Sequence, residues 1–288
     1  MPTFSAASVP DLSSRTAIVT GGSSGIGAAT AKVLAARGAR VVLAVRNLDK
    51  GARAARTMRG HVEVRPLDLA SLESIRAFAG DWNGPIDLLI NNAGISVPDL
   101  QRTADDFELQ FGTNHLGPFA LTNLLLPRIT GRVVSLSSQA ERAGRLDLDD
   151  LDHARTPYKE SRAYAASKLA NLLFTAELQR RLTAAGSAVV AAAAHPGFVA
   201  TGMTGGSGGT VTKLAVRFLA QSPEQGALPV LLAATGDIPA GAFTGPEHAL
   251  HMRGGAEQIG RSKRAQDPEL ARRLWTVSEA LTGTGFPL

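Results

Sequence analysis

Cysteine is absent from the 288 residues. That excludes disulfides, zinc–thiolate centres, iron–sulfur clusters and cysteine nucleophiles, and it suits a reducing compartment. No run approaches the roughly 20 uninterrupted apolar residues of a membrane span. The opening MPTFSAASVPDLSSR lacks the cationic-then-apolar pattern of an export signal. Lys and Arg outnumber Asp and Glu by 30 to 25, but the two signs alternate and form no block. A nucleic-acid surface is therefore the weaker reading, and an anionic small molecule explains the mild excess as well. The expectation is a cytoplasmic protein with no membrane span and no nucleic-acid partner.

What is present is 44% hydrophobic and 19% charged, the balance of an ordinary globular domain. There is no internal repeat and no composition shift that would divide the chain. Residues 1–14 read as a loose tail and 15–288 as one domain. Apolar runs alternate with amphipathic patterns in the rhythm of βαβ units. Strands are predicted at 16–20, 40–45, 62–69, 86–94, 131–138 and 188–197, with a short last one in AFTGPEH (242–248). Helices are predicted at 26–38, 47–58, 72–82, about 105–126, about 162–182 and 267–283. The strands are continuously apolar, as parallel strands covered on both faces are. The fold class is therefore α/β: a single doubly wound (Rossmann) domain with a mostly parallel sheet of about seven strands flanked by helices. Two stretches interrupt the rhythm, 139–161 and the glycine-rich 201–221. Segments of this length are often lids, and Val211, Leu214, Phe218 and Leu219 would give the second an apolar face.

Between the first strand and helix, IVTGGSSGIGAAT places Gly21, Gly25 and Gly27 in a GxxxGxG spacing. Glycines permit positive φ and close backbone approach, and a helix N-terminus faces an anion favourably. Ser23 and Ser24 add hydroxyls, so the turn suits a pyrophosphate. A tight strand–helix turn that binds nothing is the bland alternative. At the end of the second strand, an acid would hold the 2′-hydroxyl of NAD. LAVRN has none, and Arg46 stands there instead. A guanidinium suits a 2′-phosphate, so NADP(H) is favoured over NAD(H).

Seven motifs run in order: TGGSSGIG (20–27), LDL (67–69), NNAG (91–94), Asn114 in GTNHLGPF, SLSS (135–138), Tyr164 with Lys168, and HPGFVAT (195–201). Together they resemble the short-chain dehydrogenase/reductase superfamily. LAVRN, SKLANLLFTAELQRRL and LARRLWTVSEALTG resemble its retinol-dehydrogenase-like branch. The resemblance covers about residues 15–283. It implies that Gly21, Ser23, Ser24, Gly25, Ile26 and Gly27 contact a dinucleotide. It also implies that Asp68 and Leu69 meet the adenine, and that Asn92, Ala93 and Gly94 line the adenosine-ribose side. Thr201 and the backbone of Val199 would hold the nicotinamide carboxamide, with Pro196 and Gly197 also binding the cofactor. Asn114, Ser138, Tyr164 and Lys168 match the catalytic tetrad.

The spacing of Tyr164 and Lys168 agrees with that reading. Residues at i and i+4 share a helix face, with Cβ atoms about 5–6 Å apart. Carbonyl reduction requires hydride at carbon and a proton at oxygen. A neighbouring ammonium is expected to lower the phenol's pKa of about 10, bringing the proton donor nearer operating pH. Lys168 would also hold the nicotinamide ribose, Ser138 the substrate oxygen, and Asn114 a proton-relaying water. Tyr158 and Arg162 share the spacing, but a guanidinium cannot relay a proton, so Tyr158 reads as structural or near the substrate. Ser135 and Ser137 compete with Ser138.

DLDDLDH (147–153) lacks the glycine and terminal glutamate of a calcium loop and reads as a solvated acidic connection. His248 and His251 have no third ligand, so no metal is expected. The expected function is an NADP(H)-dependent oxidoreductase moving hydride between nicotinamide and a small hydrophobic carbonyl or alcohol. The alternative is a catalytically silent dinucleotide sensor on the same fold. A homodimer through the helices carrying Asn114 and Tyr164 is one arrangement, and a monomer with 139–161 covering that face is the other.

Overall fold

In the computed structural model, the described residues are 3–199 and 221–288. Seven strands run parallel: β1 (Thr16–Thr20), β2 (Arg40–Val45), β3 (Val62–Pro66), β4 (Ile86–Asn91), β5 (Ile129–Leu136), β6 (Val190–Ala194) and β7 (Phe243–Gly245). Their order across the sheet is β3-β2-β1-β4-β5-β6-β7, and β8 (Glu257–Gln258) pairs antiparallel with β7 at the edge. The doubly wound sheet is the expected one, with one more strand than expected. Both residues of β8 are exposed and carry no apolar pattern to mark them.

The helices are α1 (Gly25–Ala36), α2 (Leu48–Ala55), α3 (Leu72–Gly80), α4, α5 (Glu160–Ala184), α6 (Pro223–Thr235) and α7 (Pro268–Thr282). The helix α4 is three segments joined end to end, Leu109–Phe111, a π turn at Gly112–Leu116, and Gly117–Leu125. Alternation along the strands sends Ala17, Val19, Val41 and Leu43 to one face, and Ile18, Val42 and Ala44 to the other. The first face meets Ala31, Leu34 and Ala35 of α1, and Ala227, Val230 and Leu231 of α6. The second meets Ile75, Phe119, Phe174 and Trp275 from α3, α4, α5 and α7. Each fully buried large apolar side chain contributes on the order of 1.5–3 kcal/mol.

Two expectations change. The N-terminal segment is anchored rather than loose, because Val9 and Leu12 enter the first core and Arg37 Nη2 donates to the Ala6 and Ala7 carbonyls at 3.0 and 2.7 Å. The predicted continuous helix 105–126 begins only at Leu109. There the Glu108 carboxylate caps Gln110 N and Phe111 N at 2.8 and 2.6 Å.

Helix α6 has no counterpart in the sequence reading, although its start is marked. Ser222 accepts from Gln225 N, Gln225 reaches back to Ser222 N, and Pro223 takes the first helical position. At the other end of the chain, Asp267 caps α7 through Glu269 N and Leu270 N, and Gly283 closes it at φ 62°, as read from the sequence. Trp275 then sits in an aromatic group: 4.9 Å from Phe119 edge-on, and 5.7 Å from Phe174 stacked. The Arg181 guanidinium lies 4.4 Å from its ring.

Candidate active site

Strand order reverses on either side of β1, whose neighbours are β2 and β4. In such sheets a crevice opens at the carboxyl ends of the strands. Every described candidate residue lies at that edge or on a helix flanking it.

The glycine turn follows β1. Gly21 and Gly25 adopt φ 65° and 55°, a region that side chains resist. A Cβ on Gly21 would lie 3.0 Å from Ala93 Cα, and one on Gly27 would strike Asn92 Nδ2 and the Gly21 carbonyl. The Ser24 side chain makes no cap hydrogen bond, so the first amides of α1 remain available to an anion. The cradle therefore fits a dinucleotide pyrophosphate. Thr20, which the sequence reading passes over, ties the turn to β4. Its buried Oγ1 accepts from Asn92 N and Ala93 N at 3.0 Å each, and Asn92 Nδ2 donates to Thr20 O at 2.8 Å.

Arg46 follows β2 and is exposed, directly before Asn47, whose side chain caps α2 by accepting from Lys50 N at 2.8 Å. Asp68 lies beyond β3. Its Oδ1 accepts from Ala70 N at 2.9 Å, and its own N donates to Ser74 Oγ at 2.9 Å. Leu69 is buried where Gly117 presses against its backbone. Beyond β6, Gly197 takes φ 78°, and Phe198 N donates to Met252 O at 2.9 Å. Val199 is buried and bridges to Gln221, whose side chain bonds Pro196 O. Thr201, and with it the predicted lid but for Gln221, lies outside the described residues.

The tetrad residues converge. Asn114 sits fully buried in the π turn. Its Oδ1 accepts from Ile95 N at 2.8 Å, and its Nδ2 donates to Ile95 O and to Ser167 Oγ at 3.0 Å each. Ser167 Oγ donates in turn to the Tyr164 carbonyl at 2.8 Å. Lys168 is buried, and its Nζ donates to Leu136 O at 3.4 Å. A Cβ on Gly94 would lie 3.2 Å from that Nζ and 3.4 Å from Asn114 Oδ1, so only glycine leaves both unobstructed. The serine ambiguity resolves by geometry. Ser135 is buried within β5 between Asn91 and Ala193. Ser137 Oγ is committed to the Lys168 carbonyl at 2.8 Å. Ser138 remains, half-buried; its Oγ accepts from Ala140 N at 3.2 Å, and its hydroxyl acts on the Tyr164 phenol.

One electrostatic expectation is corrected. Burial pushes the Tyr164 phenol up, and the Ser138 hydroxyl pulls it the other way. Burial brings Lys168 itself down to about 8. An ammonium that is itself disfavoured is a weak perturber, and Nζ stands 5.4 Å from the centre of the Tyr164 ring.

Tyr158 is structural. Its hydroxyl accepts from Gln110 Nε2 at 2.6 Å and donates to Val97 O at 2.7 Å, fastening the 139–161 connection to the loop after β4. Within that connection Asp150 is buried rather than solvated, and accepts from Arg155 N and Thr156 Oγ1 at 2.8 and 2.7 Å. Among the described residues no group of three His, Asp or Glu side chains is placed to hold a metal ion. No helix among them is long and apolar enough to cross a membrane.

A parallel sheet with a glycine cradle at its switch point, facing a tyrosine–lysine pair, defines a dinucleotide-dependent oxidoreductase. The family model described as short chain dehydrogenase matches residues 15–210. Human retinol dehydrogenase 13 is 41% identical over 296 residues, covering 95% of this chain and 86% of its own. Mouse polyprenol dehydrogenase is 40% identical, covering 96% and 86%. A crystal structure of an uncharacterized protein from Mycobacterium paratuberculosis superposes with TM-score 0.88 at 50% identity, covering all of both chains. The chain belongs to the short-chain dehydrogenase/reductase family, in its retinol-dehydrogenase-like branch, and is an NAD(P)-dependent oxidoreductase acting on CH–OH groups.

Proposed function

We propose that the protein is an NADP(H)-dependent reductase of hydrophobic carbonyls, with Tyr164 as the acid that protonates the nascent alcohol. The observation that carries this is the grouping around Tyr164: Lys168 Nζ lies 5.4 Å from the centre of its ring, and Ser167 links its carbonyl to Asn114. A phenol holds its proton at neutral pH and can give it to a carbonyl oxygen as charge develops there.

The chemistry a bound nicotinamide dinucleotide supplies is hydride, delivered to the carbonyl carbon. This chain's residues do the rest. Ser138 orients the carbonyl oxygen by hydrogen bonding and stabilises its developing charge. Tyr164 gives its hydroxyl proton to that oxygen, so the product is the alcohol. Lys168, whose Nζ donates to Leu136 O, would hold the ribose hydroxyls, and Asn114 the relay that reprotonates the site. Arg46, exposed beyond β2, supports NADP(H) through a 2′-phosphate contact. The hydrophobic substrate is supported by the similarity to enzymes named for retinol and polyprenol, both long apolar alcohols.

The test is NADPH consumption with a series of aldehydes by the parent and Tyr164→Phe. The parent is expected to turn over. The variant is expected to lose about 10²–10⁴-fold in kcat while still binding NADPH by fluorescence titration. A variant with near-parental rate refutes the tyrosine's role.

A further inference from the structure

We infer that Leu250 is a specificity-determining residue, presented on a braced left-handed turn to the apolar part of the substrate; this rests on the reductase reading above. Ala249, Leu250 and His251 have φ of 52°, 56° and 63°. Three consecutive non-glycine residues in this region are unfavourable for L-amino acids and persist only where surroundings impose them.

The surroundings do so from several sides. His248 N donates to Arg253 O at 3.0 Å, and Met252 N to His248 O at 3.0 Å. His251 Nδ1 lies 2.9 Å from Pro246 O. Gln139 Nε2 donates to the Leu250 carbonyl itself at 3.2 Å, and Phe198 N to Met252 O at 2.9 Å. Gly254 N donates to Gln221 Oε1 at 3.2 Å.

Those braces locate the turn. Gln139 follows Ser138 directly, and Phe198 follows Gly197, so the turn is fastened to the two segments that leave the carboxyl ends of β5 and β6. Its side chain is the anomaly. Leu250 is 90% exposed, while the other exposed large apolar residues among those described range from 37% to 51%. A single exposed leucine elsewhere needs no explanation. This one is held out by a strained turn whose carbonyl is bonded one residue from the serine that faces Tyr164. An apolar chain extending from a carbonyl at Ser138 and Tyr164 would cover it, and that burial is the gain that would favour long substrates.

The test uses straight-chain aldehydes from propanal to decanal with NADPH. The substitution is Leu250→Asn, because asparagine tolerates positive φ better than leucine and removes the apolar contact without adding strain. In the parent, kcat/KM is expected to rise with chain length. In Leu250→Asn the decanal-to-propanal ratio of kcat/KM is expected to fall about tenfold, through KM for decanal, with the KM for NADPH within twofold of the parent. Leu250→Met is expected to restore the ratio. An unchanged ratio in Leu250→Asn, or an equal loss at every length, overturns the assignment of Leu250 while leaving the reductase reading intact. A parent that turns over no aldehyde with either nicotinamide overturns both.

Discussion

Asn114 Nδ2 donates to Ser167 Oγ at 3.0 Å, and the same hydroxyl donates to the Tyr164 carbonyl at 2.8 Å. One buried serine thus connects the π turn of α4 to the backbone that carries the tyrosine. Ser167→Ala is expected to destabilise the protein by about 1–3 kcal/mol, because a buried amide hydrogen and a carbonyl each lose a partner. It is also expected to lower kcat more than it raises KM for NADPH. Urea unfolding and steady-state kinetics check both. A variant with parental stability and kcat breaks the connection argued here.

Arg46 stands exposed at the end of β2, where an acid would hold a ribose 2′-hydroxyl. Arg46→Asp is expected to raise KM for NADPH by about tenfold or more and to lower it for NADH, which corresponds to about 1.4 kcal/mol or more of differential binding. Equal use of both cofactors by the parent counts against this residue.

Lys168 titrates at about 8 in the folded protein because burial disfavours its charge, against about 10.4 unfolded. Between those values the unfolded chain holds a proton that the native state lacks, so this group's contribution to stability rises with pH. Below about pH 8 the full penalty of a buried ammonium applies, on the order of 3 kcal/mol. Lys168→Met is therefore expected to be more stable than the parent at pH 7, by up to that amount, and the gap to shrink at pH 10, while turnover is lost. Urea midpoints at the two pH values decide it, and a variant less stable than the parent at pH 7 contradicts the sign.

His115 and His195 are buried, and burial lowers them to about 3 and about 4. As pH falls below about 6.5, the unfolded chain takes up protons that the native state refuses, and stability drops. The slope is at most about 1.4 kcal/mol per pH unit for each histidine. Glu108 works in the opposite sense, since burial raises its carboxyl. Urea unfolding at pH 6.5, 5.5 and 4.5 is expected to show the decline, and His115→Leu to reduce its slope by about half. An unchanged slope removes His115 from the account.

The sheet was legible in the sequence because parallel strands buried on both faces must be continuously apolar, and β1, β2 and β4 begin where those runs begin. That Tyr164 and Lys168 would lie close together was legible because residues at i and i+4 share a helix face. What escaped has physical reasons. Helix α6 has an apolar, alanine-rich body broken by Gly226 and Pro229, and its clear capping box went unread beside the conspicuous glycines before it. Thr20 and Ser167 act through hydroxyls whose partners are distant in sequence, as with Ser167 and Asn114. Periodicity carries no trace of such bonds. The π turn is equally silent, since residues 110–123 are all buried and leave no polar face whose shift would mark it. Tyr164's pKa follows its own burial and the Ser138 hydroxyl, properties of the packed protein and not of an i,i+4 spacing.

Trp275 closes the aromatic group formed with Phe119 and Phe174, and it comes from α7, far along the chain from both. The family match ends at residue 210, yet one wall of the second core comes from beyond it. During synthesis, α4 and α5 would leave the ribosome with an apolar face uncovered until residues 268–286 follow. Until they do, that apolar face is open to misassociation.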